Sequence, residues 1–109
     1  APEGPLCLAG FSFGAFVTTH AVARLAPQRD VQRIVLVGTA TSRFAAEPIA
    51  PDLHLRTLVI HGEQDDTVPL ASVMDWARPQ VLPVTVVPAG GHFFHGQLPL
   101  LKDLVCRFI

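Results

Sequence analysis

The chain of 109 residues contains no tyrosine, one tryptophan, one methionine and two cysteines. Cys7 and Cys106 stand nearly a chain length apart, without a CxxC pair or a metal-ligand spacing. We therefore expect no disulfide framework and no zinc site, and predict that both cysteines are small core residues. The five histidines are dispersed and show no HExxH-like pairing, so a metal hydrolase is not predicted and no cofactor is expected.

Charge is also scarce, at 16% of the residues, and the formal net charge is −1. Lysine and arginine are scattered, without a basic stripe for nucleic acid or a polybasic anchor for a membrane surface, so neither partner is expected. No apolar run approaches the roughly 18 residues of a membrane span, and no signal-peptide pattern is present. The predicted location is cytoplasmic.

Half of the residues are hydrophobic, which is enough for the core of a single domain over residues 1–109. Short apolar runs alternate with helical periods in the order β-α-β-loop-β-α-β-α. Alternating elements of this length predict the α/β class, with a mostly parallel sheet, strands buried on both faces and flanking helices. The predicted strands are 5–10, 33–37, 57–60 and 84–87, and the predicted helices are 13–25, 70–77 and 97–109. The last helix is expected to pack through one apolar face made of Leu98, Leu101, Leu104, Val105 and Phe108.

Residues 10–14 read GFSFG and match G-x-S-x-G directly after a predicted strand and directly before a predicted helix. This context is typical of a strained turn that exposes the Ser12 hydroxyl, and a side chain at Gly10 or Gly14 is expected to collide with the strand or helix. The backbone amide of Phe13 then lies near the helix N-terminus, where it favours a developing oxyanion. The alternative interpretation is a glycine-rich turn between strand and helix that has no catalytic role.

A nucleophilic serine needs a base, and the base needs an anion that fixes its tautomer. The segment HGEQDDTVP follows the third predicted strand and offers Asp65 and Asp66. The segment GGHFF follows the fourth strand and offers His92, with His95 just beyond it. Because the carboxyl ends of parallel strands meet at one edge of a sheet, we expect these groups to converge on Ser12.

The motifs GFSFG, HGEQDDTVP and GGHFF occur in the order Ser, Asp, His. In this the chain resembles the α/β-hydrolase superfamily over essentially its whole length, and it looks most like small, lidless bacterial hydrolases related to dienelactone hydrolase. In that family the acid lies three residues after the glycine of the HG pair, which selects Asp65 over Asp66. The resemblance likewise selects His92, which follows the glycine turn, over His95.

The resemblance also implies a complete sheet of eight strands in which the serine turn follows the fifth. The chain starts at Ala1 rather than Met, so we expect it to be the C-terminal half of an α/β-hydrolase fold, with strands five to eight. The loop that supplies a second oxyanion donor would lie upstream. Without that donor we expect the isolated chain to be poorly active. The strand at 5–10 would also become an exposed apolar edge, from which we expect self-association.

The predicted function is hydrolysis of small carboxylic esters or thioesters through an acyl-enzyme on Ser12. The stretch 39–54 is too short for a lid domain, which favours a small-molecule substrate over long lipids. Peptidase and acyltransferase activities stay open on the same scaffold. The alternative is a non-catalytic fragment or interaction module that retains hydrolase motifs, whereas a nucleotide-binding domain is disfavoured because neither G-x-G-x-x-G nor a P-loop follows the first strand.

Weaker assignments concern the residues around these motifs. We expect His61 to be structural, with its ring hydrogen-bonded within the loop. The phenylalanines next to the serine and histidine are candidates for an acyl pocket and equally for core positions at strand ends, and His95 is a candidate to line or shield the same pocket. The candidate pocket residues are Phe11, Phe93, Phe94 and His95.

Overall fold

A computed structural model describes residues 4–109 of the chain. Every predicted strand and helix is present, and the loop after the second strand ends in a 3-10 turn at Pro51–Arg56. No helix within residues 4–109 is both long and apolar enough to cross a membrane. The strands are β1 (Leu6–Phe11), β2 (Val31–Val37), β3 (Thr57–Gly62) and β4 (Thr85–Val87), and the helices are α1 (Phe13–Leu25), α2 (Leu70–Ala77) and α3 (Leu98–Phe108).

The four strands form one parallel sheet in the order β1-β2-β3-β4. Strand β1 pairs with β2 from Leu6 opposite Val31 to Phe11 opposite Val37. The prediction of an α/β fold with a parallel sheet is therefore confirmed. Because all strands run the same way, the loops after β1, β2, β3 and β4 leave the sheet at one edge, and this edge holds the residues of the candidate site.

Each face of the sheet packs against its own helix layer, because consecutive strand residues point to opposite faces. Ile34 and Leu36 of β2 belong to a core cluster that includes buried residues of α1 and α2. Val35 and Val37 of the same strand belong to a second cluster on the other face. Helix α3 packs against this second cluster through its predicted apolar residues Leu101, Leu104, Val105 and Phe108.

Three expectations about burial are wrong. In β1 half-buried residues alternate with exposed ones, among them Cys7, because α1 packs on one face of β1 while α3 packs against residues of β2, β3 and β4 on the other. Cys106 is also exposed, so neither cysteine is a core residue. Leu98, predicted on the packed face of α3, is 59% exposed because it lies in the first turn, before the packing begins at Leu101.

Candidate active site

Ser12 occupies the turn between β1 and α1 with a backbone conformation of φ 57° and ψ −118°. A residue with a side chain in this region carries about 1–3 kcal/mol of strain. Hydrogen bonds on both sides hold the turn: the Ser12 amide donates to the carbonyl of Val37 at 2.8 Å, and its carbonyl accepts from the amide of Ala15 at 3.1 Å. The surrounding sheet and helix therefore fix the serine in a conformation that it would not adopt alone.

The two glycines around Ser12 differ in what they do. A Cβ at Gly10 would overlap the carbonyl oxygen of Gly14 and the hydroxyl of Thr18, so α1 approaches the end of β1 closely only because Gly10 has no side chain. A Cβ at Gly14 would meet nothing within 4 Å. The expected collision is thus present at Gly10, and the same expectation for Gly14 is wrong because that position faces open space.

The structure brings Ser12, His92 and Asp65 into one hydrogen-bonded row. Nε2 of His92 lies 2.9 Å from Oγ of Ser12, and Nδ1 of His92 lies 2.7 Å from Oδ2 of Asp65. A carboxylate oxygen only accepts, so Nδ1 carries the proton and donates it to Asp65. Nε2 is then left with its lone pair facing the hydroxyl of Ser12, which is the tautomer that a proton acceptor requires.

The Asp65 carboxylate is held on both oxygens. Its Oδ1 accepts the amides of Thr67 at 2.9 Å and Val68 at 2.7 Å, while Oδ2 accepts from His92. Asp65 is 6% exposed, whereas Asp66 is exposed. Asp65, which the family resemblance selects over Asp66, is thus the aspartate whose carboxylate contacts His92.

Close backbone contact between two loops brings Asp65 to His92. A Cβ at Gly62, the last residue of β3, would overlap the carbonyl oxygen of Gly90 in the loop after β4. The same loops are joined by the amide of Gln64, which donates to the carbonyl of Gly90 at 2.8 Å. The glycines of the HG and GG pairs therefore allow the acid loop and the histidine loop to touch.

The amide of Phe13 is the first of α1, so it has no intrahelical acceptor and remains available as a donor next to Ser12. The partial positive charge of a helix N-terminus adds to its attraction for an anion. The Phe13 side chain is 55% exposed and lies with its ring centroid 5.2 Å from that of Phe44. Phe44 lies in the loop after β2, where the sequence has no helical or strand periodicity, so its position next to Phe13 was not predicted.

Aromatic rings surround the histidine on the open side of the site. The ring centroids of Phe11 and Phe93 each lie 5.0 Å from that of His92, and those of Phe93 and His95 are 6.4 Å apart. Phe11 is 41% and Phe93 is 60% exposed, and His95 is exposed as well. Three of the four predicted pocket residues thus present surface next to the hydrogen-bonded row.

Phe94 is the exception, and its prediction as a pocket residue is wrong. It is 1% exposed and belongs to the core cluster beneath α3. Its backbone is left-handed, with φ 54°, so the chain turns sharply between Phe93 and Phe94. Burial of a whole phenyl ring, worth about 1.5–3 kcal/mol, offsets the cost of that conformation.

Two contributors to the site were missed in the sequence. The amides of Thr67 and Val68 bind Asp65, an Asx-type turn for which the segment Asp65–Val68 carried a recognisable signal. Gly38, at the end of β2, lies beside His92, and its position after a strand at the same edge of the sheet was the available clue. Within the described part of the chain, no group of three or more His, Cys, Asp or Glu residues has a metal-binding arrangement.

The chain matches one protein-family model and is similar to solved bacterial structures. A family model described as serine hydrolase matches residues 1–105, while no curated protein matches the chain. An α/β serine hydrolase without lid from Xanthomonas campestris is 32% identical, with a TM-score of 0.80 over 98% of this chain. A serine hydrolase homologue from Coxiella burnetii is 31% identical, with a TM-score of 0.65 over 93% of this chain.

A meta-cleavage product hydrolase from Pseudomonas fluorescens is similar in fold alone, at 18% identity, with a TM-score of 0.63 over 92% of this chain and 62% of that one. The chain spans 47% of the Xanthomonas structure and 47% of the Coxiella structure. The chain therefore corresponds to about half the length of each of these two bacterial proteins.

Proposed function

Because the chain belongs to the serine hydrolase family, we propose that it hydrolyses small carboxylic esters or thioesters through an acyl-enzyme on Ser12. The observation that carries the proposal is the row in which Ser12 meets His92 at 2.9 Å and His92 meets Asp65 at 2.7 Å. The geometry matches what acyl transfer requires: a nucleophile within reach of a base, and a base oriented by a buried anion.

In the first half of the reaction Oγ of Ser12 attacks the acyl carbon while Nε2 of His92 takes the hydroxyl proton. The imidazole becomes positively charged, and Asp65, already hydrogen-bonded to Nδ1, stabilises that charge. The tetrahedral intermediate then collapses, and His92 returns the proton to the departing alcohol or thiol. The acyl group is left as an ester of Ser12.

In the second half water takes the place of the serine hydroxyl. Nε2 of His92 removes a proton from the water as its oxygen attacks the acyl carbon, and the same proton returns to Oγ of Ser12 when the acyl-enzyme breaks. The products are a carboxylic acid and the free enzyme. Every proton in both halves is moved by residues of this chain, so the proposed reaction needs no cofactor.

In the tetrahedral intermediate the carbonyl oxygen of the substrate becomes negatively charged. We assign the hydrogen bond that stabilises this oxyanion to the backbone amide of Phe13 at the start of α1. A single oxyanion donor contributes about 2.7–4 kcal/mol of transition-state stabilisation. The exposed rings of Phe11 and Phe93 offer apolar surface beside His92 for the acyl or leaving group of a small substrate.

The proposal is tested by labelling with a fluorophosphonate, which reacts with an activated serine hydroxyl. We expect the wild-type chain to be labelled, Ser12→Ala to be unlabelled, and Ser42→Ala to be labelled as in wild type, because Ser42 is an exposed serine of the loop after β2. We likewise expect the wild-type chain and Ser42→Ala to hydrolyse short p-nitrophenyl esters and acyl thioesters, and Ser12→Ala to hydrolyse neither. A folded wild-type chain that stays unlabelled would refute the enzymatic function and support a non-catalytic interaction module.

A further inference from the structure

His61 is completely buried at the carboxyl end of β3, one residue before Gly62. Its Nε2 lies 2.6 Å from the carbonyl oxygen of Val68. A carbonyl only accepts hydrogen bonds, so Nε2 carries a proton and donates it. The expectation that the ring hydrogen-bonds within its own loop agrees with this contact.

The contact of His61 matters because Val68 is also a partner of Asp65. The amide of Val68 donates to Oδ1 of Asp65 at 2.7 Å, while the carbonyl of Val68 accepts from His61. Val68 is thus held at both of its backbone polar groups, and it is 2% exposed. The same Nε2 of His61 lies 3.4 Å from Oδ2 of Asp65, the oxygen that faces His92.

The other ring nitrogen shows that packing alone does not explain His61. Its Nδ1 is buried and has no hydrogen-bond partner among residues 4–109. A buried polar atom without a partner costs free energy, and an apolar side chain of similar size at this position would avoid that cost. The benefit that offsets the cost must come from Nε2, which bonds Val68 and faces Asp65.

We propose that His61 is a positioning residue that fixes Val68 and thereby directs Oδ2 of Asp65 toward Nδ1 of His92. The inference rests on the proposed hydrolase function, because the group that it orients is the anion of that reaction. Without the donor at Nε2, Val68 loses one of the two backbone hydrogen bonds described above, the one at its carbonyl. The Asp65 carboxylate then rotates or shifts, and His92 is no longer held in line with Ser12.

The test compares two substitutions of His61 with a matched core substitution. His61→Leu removes the donor at nearly constant volume, and His61→Gln restores an N–H near the position of Nε2. Val59→Ala perturbs the same strand at a residue that is 1% exposed and packs in the core cluster with buried residues of α1 and α2. We expect the fluorophosphonate labelling rate per folded molecule to fall about 10- to 100-fold in His61→Leu. It should recover to near wild type in His61→Gln and stay unchanged in Val59→Ala.

A second measurement does not depend on activity. The proton shared by His92 and Asp65 gives a low-field resonance in the proton NMR spectrum, which should shift or disappear in His61→Leu and persist in Val59→Ala. If wild type is neither labelled nor hydrolytic, the proposed function fails, and the resonance alone decides the positioning role. If wild type reacts and His61→Leu keeps both the resonance and the labelling rate of Val59→Ala, the positioning role is overturned while the hydrolase stands.

Discussion

Gly38 lies directly beside the imidazole of His92. A Cβ at Gly38 would be 3.3 Å from Cε1 and 3.4 Å from Nδ1 of that ring, closer than most side chains approach. The glycine also has φ +58°, a conformation that disfavours any other residue. The absence of a side chain at the end of β2 therefore leaves the space in which the ring of His92 reaches both Ser12 and Asp65.

Gly38→Ala should impair the site more than it impairs the fold. The left-handed backbone costs an alanine about 1–2 kcal/mol, and the added methyl group pushes the His92 ring away from Ser12. We expect a lower midpoint in urea unfolding and a fall in labelling rate of about tenfold or more. Urea titration and labelling kinetics on the same samples measure both effects.

Gly96→Ala is the matched control for this prediction. Gly96 has φ +74°, but a Cβ there would meet nothing within 4 Å. The backbone cost is similar, so the stability should fall by a similar amount while the labelling rate per folded molecule stays at the wild-type value. Equal losses of labelling rate in Gly38→Ala and Gly96→Ala would show that contact with His92 does not cause the loss in Gly38→Ala.

Asp65→Asn should nearly abolish hydrolysis. An asparagine amide presents a donor as well as an acceptor to Nδ1 of His92, which favours the wrong imidazole tautomer and removes the charge that stabilises the imidazolium. By analogy with other Ser-His-Asp enzymes, we expect a loss of about 10⁴-fold in kcat. Asp66→Asn changes an exposed neighbour and should leave ester hydrolysis unaffected; the opposite order would transfer the role to Asp66.

Ser12→Gly should be more stable than Ser12→Ala, although both substitutions remove the nucleophile. Glycine adopts φ 57° and ψ −118° without the steric cost that a Cβ imposes, so we expect Ser12→Gly to be about 1 kcal/mol more stable than Ser12→Ala. Both variants lack the hydroxyl and should be unlabelled. Chemical denaturation of the pair measures the strain at this turn, and identical midpoints would mean that the turn stores none.

The open edge of β1 should promote self-association. Ala9 is exposed in a strand that pairs with β2 alone among the described strands, and edge strands of this kind pair with further chains unless charge prevents it. We expect light scattering to show association of the wild-type chain and less of it in Ala9→Lys. Val17→Lys adds the same charge on an exposed position of α1 and should associate as wild type does; a wild-type chain that remains monomeric contradicts the prediction.

The sequence by itself determined the element order, the bounds of α1 and α2, and the arrival of Ser12, His92 and the aspartate pair Asp65 and Asp66 at one edge of the sheet, whereas the family resemblance selected Asp65. These features follow from short-range signals. Apolar periodicity separates strands from helices, glycine marks a turn that other residues cannot form, and parallel strands present their carboxyl ends on the same side.

Only the tertiary structure decided which way individual side chains at the loops and edges point. Phe93 is exposed and Phe94 is in the core, although both follow the same glycine turn, because a left-handed backbone at Phe94 turns the chain between them. Gly38, which follows β2, contacts His92, which lies in the loop after β4. Such contacts depend on how separate segments approach in space, and no local pattern in the sequence specifies that distance.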